Sequence, residues 1–183
     1  MLHGPGSIHY LLLHPTSLDQ RSGTFSWTTD RSAGRQNAKN YYPFSEGIDV
    51  YDSMLFFVCK KIRKLFSLDL NSMTYTRVST VSGLFDGGPD QLKRILADGG
   101  SHLLFFTEEG GVDAGIHGRD ETGMFFTLLE SPVYIDETTG LAFSPDARRM
   151  YVAYQENGLL FEVTRKDGLP FHAKSLNVKY HNA

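Results

Sequence analysis

The sequence predicts an all-β protein, a β-propeller or part of one with roughly three to four blades. Short runs rich in Phe, Tyr, Thr and Val are separated by Gly- and Pro-containing turns, and aromatic residues form 13% of the chain. The leading runs begin at residues 54, 102 and 150, a spacing of 48 residues each time. A period in the forties with several short strands is typical of propeller blades. A sandwich of hairpins with an accidental spacing is the alternative.

Residues 1–45 are predicted to form an N-terminal segment with a hairpin and one short helix. An apolar run over residues 8–13 indicates a first strand, and alternation over residues 24–28 places Phe25 and Trp27 on one face of a second. Asp30 is a candidate N-cap for a helix over residues 31–41, with Pro43 just beyond its end.

Residues 46–183 are predicted to form propeller-like repeats within the same single domain. Strands are expected at residues 54–58, 64–70, 74–80, 102–107, 124–129, 150–154 and 159–164. The turn at residues 144–146 (Ser-Pro-Asp) should fold residues 141–143 back on the strand that follows, and Asn157-Gly158 predicts a hairpin. The glycine clusters at residues 87–89 and 110–111 indicate turns. Three clear repeats are fewer than the roughly four to eight blades of a closed propeller, so we expect a fragment whose missing blades a partner chain could supply.

Composition excludes several classes of partner. The net charge of -3 provides no basic surface for nucleic acid, and the short basic run at residues 60–64 is expected to be a solvated strand end. No apolar run approaches the ~20 residues of a membrane span. The apolar run at residues 11–13 is too short for a signal peptide core, so no export signal is expected in the chain as given, and the compartment stays open. The single cysteine, Cys59, excludes an internal disulfide and is expected to be a small core residue.

Three glutamates are candidate metal ligands. Glu46 precedes a strand and a glycine, Glu108 ends the run LLFFTEEGG, and Glu137 opens ETTG. In a propeller the loops at one end of every blade converge around the central axis, so the three carboxylates could share one site. Ca²⁺ takes carboxylate and carbonyl oxygens in this manner. For each acid alone, a solvated turn residue is the ordinary alternative.

Arg119 is the candidate for a phosphate contact. It lies in GIHGRDETG beside His117, and a loop arginine near metal-bound oxygens would suit a bidentate phosphate clamp. A hydrogen-bonded loop histidine and a surface arginine are the alternative. Ser144 lacks the G-x-S-x-G surroundings of a nucleophile elbow, which excludes a serine hydrolase of that type.

The ordered strings SEGIDV, GGPDQLKRI, LLFFTEEGG, GIHGRD and ETTGLAFSPDARRMYVAYQ resemble the PhoX-like alkaline phosphatase family of β-propeller fold, over residues 42–154. In that family similar strings carry an E-G before a strand, a P-D-N or P-D-Q, an E-D-G and an E-x-x-G-x-x-F-S-P-D-G block. The resemblance implies that Glu46, Glu108 and Glu137 fall on metal ligands, which in the family hold calcium and iron around phosphate. It also implies a phosphate ester substrate.

Departures from the family pattern bear on which metal to expect. The phosphatases also use a cysteine ligand upstream of the E-G motif, whereas Cys59 lies after Glu46; Ala147 stands where the family has glycine. Calcium is therefore expected in preference to iron. The sequence supports three hypotheses: a metal-dependent phosphomonoesterase, a non-catalytic calcium-binding propeller fragment that serves in binding or assembly, and a calcium-dependent lactonase-like hydrolase.

Overall fold

The computed structural model describes residues 6–96, 102–111, 113–172, 176 and 178–181. Strands contain 53% of the residues and helix 7%, which confirms the all-β class. The elements in chain order are β1 (Tyr10–Pro15), β2 (Ser22–Thr28), α1 (Arg31–Tyr41), β3 (Ser45–Tyr51), β4 (Met54–Cys59), β5 (Lys64–Asp69), β6 (Thr74–Ser79), β7 (Gly88–Leu96), β8 (His102–Glu109), β9 (Gly115–Asp120), β10 (Phe125–Glu130), β11 (Thr138–Phe143), β12 (Arg149–Tyr154) and β13 (Leu159–Thr164).

The strands form three antiparallel meanders. The first, β3-β4-β5-β6, is extended by β2 and β1 into a curled six-stranded sheet. The second is β7-β8-β9-β10 and the third is β11-β12-β13. The 48-residue spacing in the sequence corresponds to β4, β8 and β12, each the second strand of its meander. The sequence repeat is therefore a repeat of structure.

The N-terminal hairpin belongs to the same sheet as the first meander, because β2 pairs with β6. Helix α1 begins as predicted: the Asp30 side chain accepts hydrogen bonds from the backbone N–H groups of Ser32 and Ala33. Asn37 of the helix bonds both backbone groups of Leu13 in β1, at 2.8 and 3.0 Å. The helix thus satisfies the edge of a strand that would otherwise be open.

Apolar side chains pack between successive sheets. One cluster joins the first and second meanders through Phe56, Leu65 and Phe106, and another joins the second and third through Phe105 and Met150. A third cluster lies between the N-terminal hairpin and the first meander and includes Cys59. Cys59 is fully buried, as expected for a core residue, and burial raises the pKa of its thiol to about 12.

The first strands of the meanders lie side by side, with β7 between β3 and β11. The backbone N–H of Arg94 donates to Asp49 Oδ2 of β3 at 2.9 Å, and Thr139 of β11 donates to Asp90 Oδ2 of β7 at 3.0 Å. A Cβ at Gly47 would lie 2.3 Å from the Leu92 nitrogen, so glycine is needed for this approach. The N-terminal ends of the three first strands therefore meet in one region.

The structure corrects parts of the strand assignment. Residues 88–89, predicted as a turn, begin β7, and β3 and β9 were not predicted as strands. Both predicted hairpin turns are present, at residues 144–147 and 155–158. In the described part of the chain, no helix combines the length and apolar character needed to cross a membrane.

Candidate functional site

Polar side chains from all three meanders gather where the first strands begin and the second strands end. We call these residues the Lys60 cluster: Glu46 near the start of β3, Lys60 after β4, Asp90 near the start of β7, Glu109 at the end of β8, and Glu137 before β11. Antiparallel pairing explains the grouping, since Ser45 pairs with Cys59 and Gly88 pairs with Glu109. Residues distant in sequence are thereby brought to the same sheet end.

Lys60 contacts two of the acids. Its Nζ donates to the Glu109 carboxylate and lies 3.6 Å from Glu46 Oε1. The hydrogen bond to Glu109 raises the pKa of Lys60, and the charges of Glu46 and Glu137 act in the same direction. The three side chains are between 29% and 37% exposed, so this ion-pair network is open to solvent and to ligands.

Glu137 interacts with Lys60 through its charge and is bonded to an uncharged side chain. Gln155 Nε2 donates to Glu137 Oε2 at 3.0 Å, but this partner is uncharged. Burial raises the pKa of Glu137, and the negative charges of Glu109 and Asp90 raise it further. Lys60 opposes that shift without cancelling it. Within the five residues of the Lys60 cluster, one ammonium therefore faces four carboxylates, while Lys61 and Arg63 line the adjoining cleft.

Glu108 lies in a different environment from the other two predicted ligands. Its carboxylate is fully buried and accepts hydrogen bonds from the Gly87 N–H at 2.5 Å, the Gly115 N–H at 3.1 Å and His117 Nε2 at 2.8 Å. Lys60 contacts the neighbouring Glu109 instead. The structure groups Glu46 and Glu137 with Glu109, while the Glu108 carboxylate is buried and hydrogen-bonded inside the second meander.

A chain of hydrogen bonds leads from the buried residues Glu108 and His117 to partly exposed ones. His117 Nδ1 lies 3.0 Å from Thr127 Oγ1, which lies 2.8 Å from His181 Nε2, and His181 Nδ1 lies 3.2 Å from Ser82 Oγ. The Phe85 ring stacks on His117 with centroids 4.3 Å apart. We call the chain Glu108, His117, Thr127, His181 and Ser82 the Glu108 network. His117 is hydrogen-bonded, as one interpretation of the sequence expected, but it lies in a buried strand and not in a loop.

Arg119, the predicted phosphate contact, lies at the far end of β9 from Glu108. Leu104 of β8 pairs with Arg119, so four residues of strand, or about 13 Å, separate its position from Glu108. Its guanidinium lies 5.7 Å from the Phe125 ring centre, and burial lowers its pKa. The prediction of a loop position was wrong, and the structure does not bring Arg119 to the Lys60 cluster.

A cleft of about 390 Å³ borders the Lys60 cluster. It is lined by Phe44, Lys60, Lys61, Arg63, Gly88, Glu109 and Gly110. The Lys61 ammonium lies 5.2 Å from the centre of the exposed Phe44 ring, a cation–π contact. Lys60, Lys61 and Arg63, part of the basic run predicted to be a solvated strand end, therefore line a cleft. The sequence does show a basic run directly after a strand. Only the pairing of β3 with β4 shows that this run lies next to Glu46 near the start of β3.

The described residues contain no preassembled group of three or more His, Cys, Asp or Glu side chains with the geometry of a metal site. The donor chemistry of the Lys60 cluster suits a hard cation, because carboxylate oxygens are the ligands Ca²⁺ prefers. As placed, however, the Lys60 ammonium is the cation that the acids contact. A metal ion would bind there only in place of this ammonium. No protein-family model matches the chain, and no curated protein matches it at a significant level.

Proposed function

We propose that this chain is part of a β-propeller and that its Lys60 cluster binds a divalent cation, with Ca²⁺ the expected ion. The observation that carries the proposal is that acids of the first two meanders, Glu46 and Glu109, contact Lys60 while the charge of Glu137, before the third meander, also acts on it. Meanders whose first strands adjoin one another are consistent with blades around an axis. When bound, Ca²⁺ would supply positive charge to oxygen ligands of the cluster. The expected role is that of a binding or assembly module.

The proposal requires Lys60 and Ca²⁺ to compete. Removing the ammonium with Lys60→Gln should tighten Ca²⁺ binding, since Glu46 and Glu109 then lose the cation that they contact. Glu109→Gln and Glu137→Gln should weaken it, because each removes a ligand charge. Glu121→Gln is the matched control, since Glu121 is an exposed acid in the turn after β9.

Thermal unfolding with added Ca²⁺ tests these expectations. A ligand at 100 times its Kd stabilises the native state by about 2.7 kcal/mol. The wild type and Glu121→Gln should show a raised Tm with Ca²⁺, Lys60→Gln should reach it at lower Ca²⁺, and Glu137→Gln should show little change. The absence of any Ca²⁺ effect on the wild type and on Lys60→Gln would exclude the cation site.

Phosphomonoester hydrolysis is a second candidate function, favoured by the cleft beside the Lys60 cluster. Lys60, Lys61 and Arg63 line it, and cations next to a metal site can bind and stabilise a phosphoryl group. Calcium is the metal to test first and iron the second, as the family resemblance implies. Arg119 takes no part in this version because it lies at the other end of β9.

A chromogenic phosphate ester tests hydrolysis directly. With Ca²⁺, and separately with Ca²⁺ and iron, we expect turnover that falls in Lys61→Gln and Arg63→Gln, with Arg119→Gln as the control of equal charge change. If the wild type binds Ca²⁺ without turnover, the non-catalytic module is the function. Turnover of a lactone panel in place of the ester would support the lactonase-like alternative.

A closed propeller would need more blades than the described residues contain. The three meanders of the described residues are fewer than the roughly four to eight that close a ring. We propose that a partner chain supplies the others. The mass of the purified chain in solution, measured by light scattering, should then exceed the 20.5 kDa of one copy, or should do so once the partner is present.

A further inference from the structure

A second cavity, of about 270 Å³, lies where β10 leads into β11 and far along the chain from Lys60. It is lined by Leu129, Glu130, Ser131, Pro132, Tyr134, Tyr154, Phe161 and Val163. Its walls are apolar and aromatic, with Glu130 as the one ionisable acid among them. The proposed cation site uses none of these residues, so the two sites can be tested independently.

Three aromatic rings form one wall of this cavity. The ring centres of Tyr134, Tyr154 and Phe161 are 5.5, 5.7 and 5.8 Å apart, which makes an almost equilateral triangle. A group centred about 3.7 Å above that triangle would lie about 5 Å from all three ring centres, within the ~6 Å range of cation–π attraction. The ring planes are inclined to one another by 50°, 46° and 87°, so the three rings are not coplanar and can border one shared group from different sides.

Strand pairing and a local turn hold the rings in place. Val152 pairs with Phe161 and Tyr154 pairs with Leu159, so Tyr154 and Phe161 are diagonal neighbours on one face of the third sheet. Tyr134 comes from the connection before β11, where its backbone N–H donates to Ser131 Oγ at 3.0 Å. The ring arrangement thus depends on backbone contacts and does not require a ligand to form.

Glu130 gives the cavity its charge preference. Its pKa is raised chiefly by burial, and the nearby acids Glu108, Asp113 and Asp86 contribute to the same shift. Because Glu130 lines the same cavity as the rings, a cation bound there would be attracted by both and would favour the ionised carboxylate that burial disfavours. An anion would be repelled by the carboxylate and by the ring faces.

The lining also decides which kind of cation fits. A primary ammonium has three N–H donors, and burial of donors without acceptors is costly. The cavity offers one carboxylate and few other acceptors. A quaternary ammonium has no N–H donor and a methylated, weakly hydrated surface, so apolar ring faces suit it. At about 30 Å³ per water, the cavity has the volume of about nine waters, which is room for a trimethylammonium headgroup.

We propose that this cavity binds a quaternary ammonium group, with Tyr134, Tyr154 and Phe161 as the aromatic wall and Glu130 as the counter-charge. The ligand class is a small molecule that carries a trimethylammonium headgroup. The alternative occupant is an apolar side chain of a partner that continues the sheet beyond β13.

Calorimetric titration with choline and with its neutral isostere 3,3-dimethylbutan-1-ol separates these occupants. The two probes have the same shape and differ only in charge. We expect choline to bind about tenfold or more tightly than the isostere, and Glu130→Gln to reduce this preference. Equal affinities would indicate an apolar pocket and overturn the proposal, as would the absence of choline binding.

Two variants test the aromatic wall. Phe161→Leu keeps apolar volume but removes a ring and should weaken choline binding about tenfold. Tyr151→Leu is the control, because Tyr151 is in β12 on the face opposite Tyr154. Circular dichroism and the Tm of both variants establish that they are folded. Unchanged choline affinity in folded Phe161→Leu would overturn the assignment of the rings.

Discussion

Glu108 and Glu109 are consecutive residues of β8, yet their carboxylates lie in opposite environments. Successive side chains of a strand point to opposite faces, so one of the two faces the interior of the second meander and the other faces Lys60. Glu108 is fully buried with three hydrogen-bond donors around it. The Glu109 side chain is 37% exposed and pairs with a lysine that other acids also approach. The first is closed off from solvent and already accepts three hydrogen bonds, whereas the second belongs to an open cluster in which acids outnumber the lysine.

The Glu108 network has a consistent hydrogen-bond direction when Glu108 is ionised. His117 then donates from Nε2 to the carboxylate and accepts at Nδ1 from Thr127, while His181 donates from Nε2 to Thr127 and accepts at Nδ1 from Ser82. Both histidines are neutral in this arrangement. The network ties the segment around His181 to the second meander, which is a structural role.

The largest expected effect comes from removing the buried carboxylate. Glu108→Ala leaves two backbone N–H groups and His117 without an acceptor, and each unsatisfied buried donor costs about 1–3 kcal/mol. We expect the free energy of unfolding to fall by about 3–5 kcal/mol in urea titrations at pH 7. Glu109→Ala is the matched control and should cost less than about 1 kcal/mol, as for exposed ion pairs. Equal losses in the two variants would contradict the contrast between the neighbouring residues.

Much of the fold could be predicted from the sequence, because its signals are local. Short apolar runs identified β4, β8 and β12, Asp30 marked the start of α1, and Asn157-Gly158 marked a hairpin. Strands β7 and β9 were missed because they contain Gly, Pro, Asp and Arg, residues with low strand propensity that pairing with β8 overrides. The pairing with β8 is a tertiary interaction, so the residues within β7 and β9 give no sign of it.

The three predicted metal ligands do not all lie together in the structure. Glu46 and Glu137 were identified as strand-end acids, and both belong to the Lys60 cluster. The choice between Glu108 and Glu109 depends on the register of β8 against β7 and β9, and a change of one residue exchanges the two faces. Lys60 was overlooked because a basic run after a strand is ordinary until the neighbouring strands are known.

The pH dependence of stability tests the part of the Glu108 network around His181. Burial lowers the pKa of His181, and the adjacent His117 contributes to the same shift. Because the folded pKa lies below the unfolded value of about 6.5, the unfolded state binds more protons in this window, and stability falls as the pH decreases below about 6.5.

Unfolding measured between pH 7.5 and 5.5 should therefore show a loss of stability that His181→Gln reduces. His14→Gln is the control, since His14 is an exposed histidine hydrogen-bonded to Ser26. If His181→Gln and the wild type have the same pH dependence over this range, His181 does not titrate with folding and the assignment of neutral histidines in the network is wrong.

The smallest effect is expected at Glu137, and its sign is informative. Its raised pKa means that the ionised carboxylate is less stable in the fold than in the unfolded chain, so its contribution to stability becomes unfavourable as the pH rises through the interval above 4.5. Without Ca²⁺ at pH 7, Glu137→Gln should raise the free energy of unfolding by less than about 1 kcal/mol. With Ca²⁺ the order should reverse, because the wild type then gains a ligand that the variant lacks. A variant that is less stable than the wild type in both conditions would show that Glu137, like Glu108, supports the fold through its hydrogen bonds. The charge of the Lys60 cluster would then be no argument for a cation site.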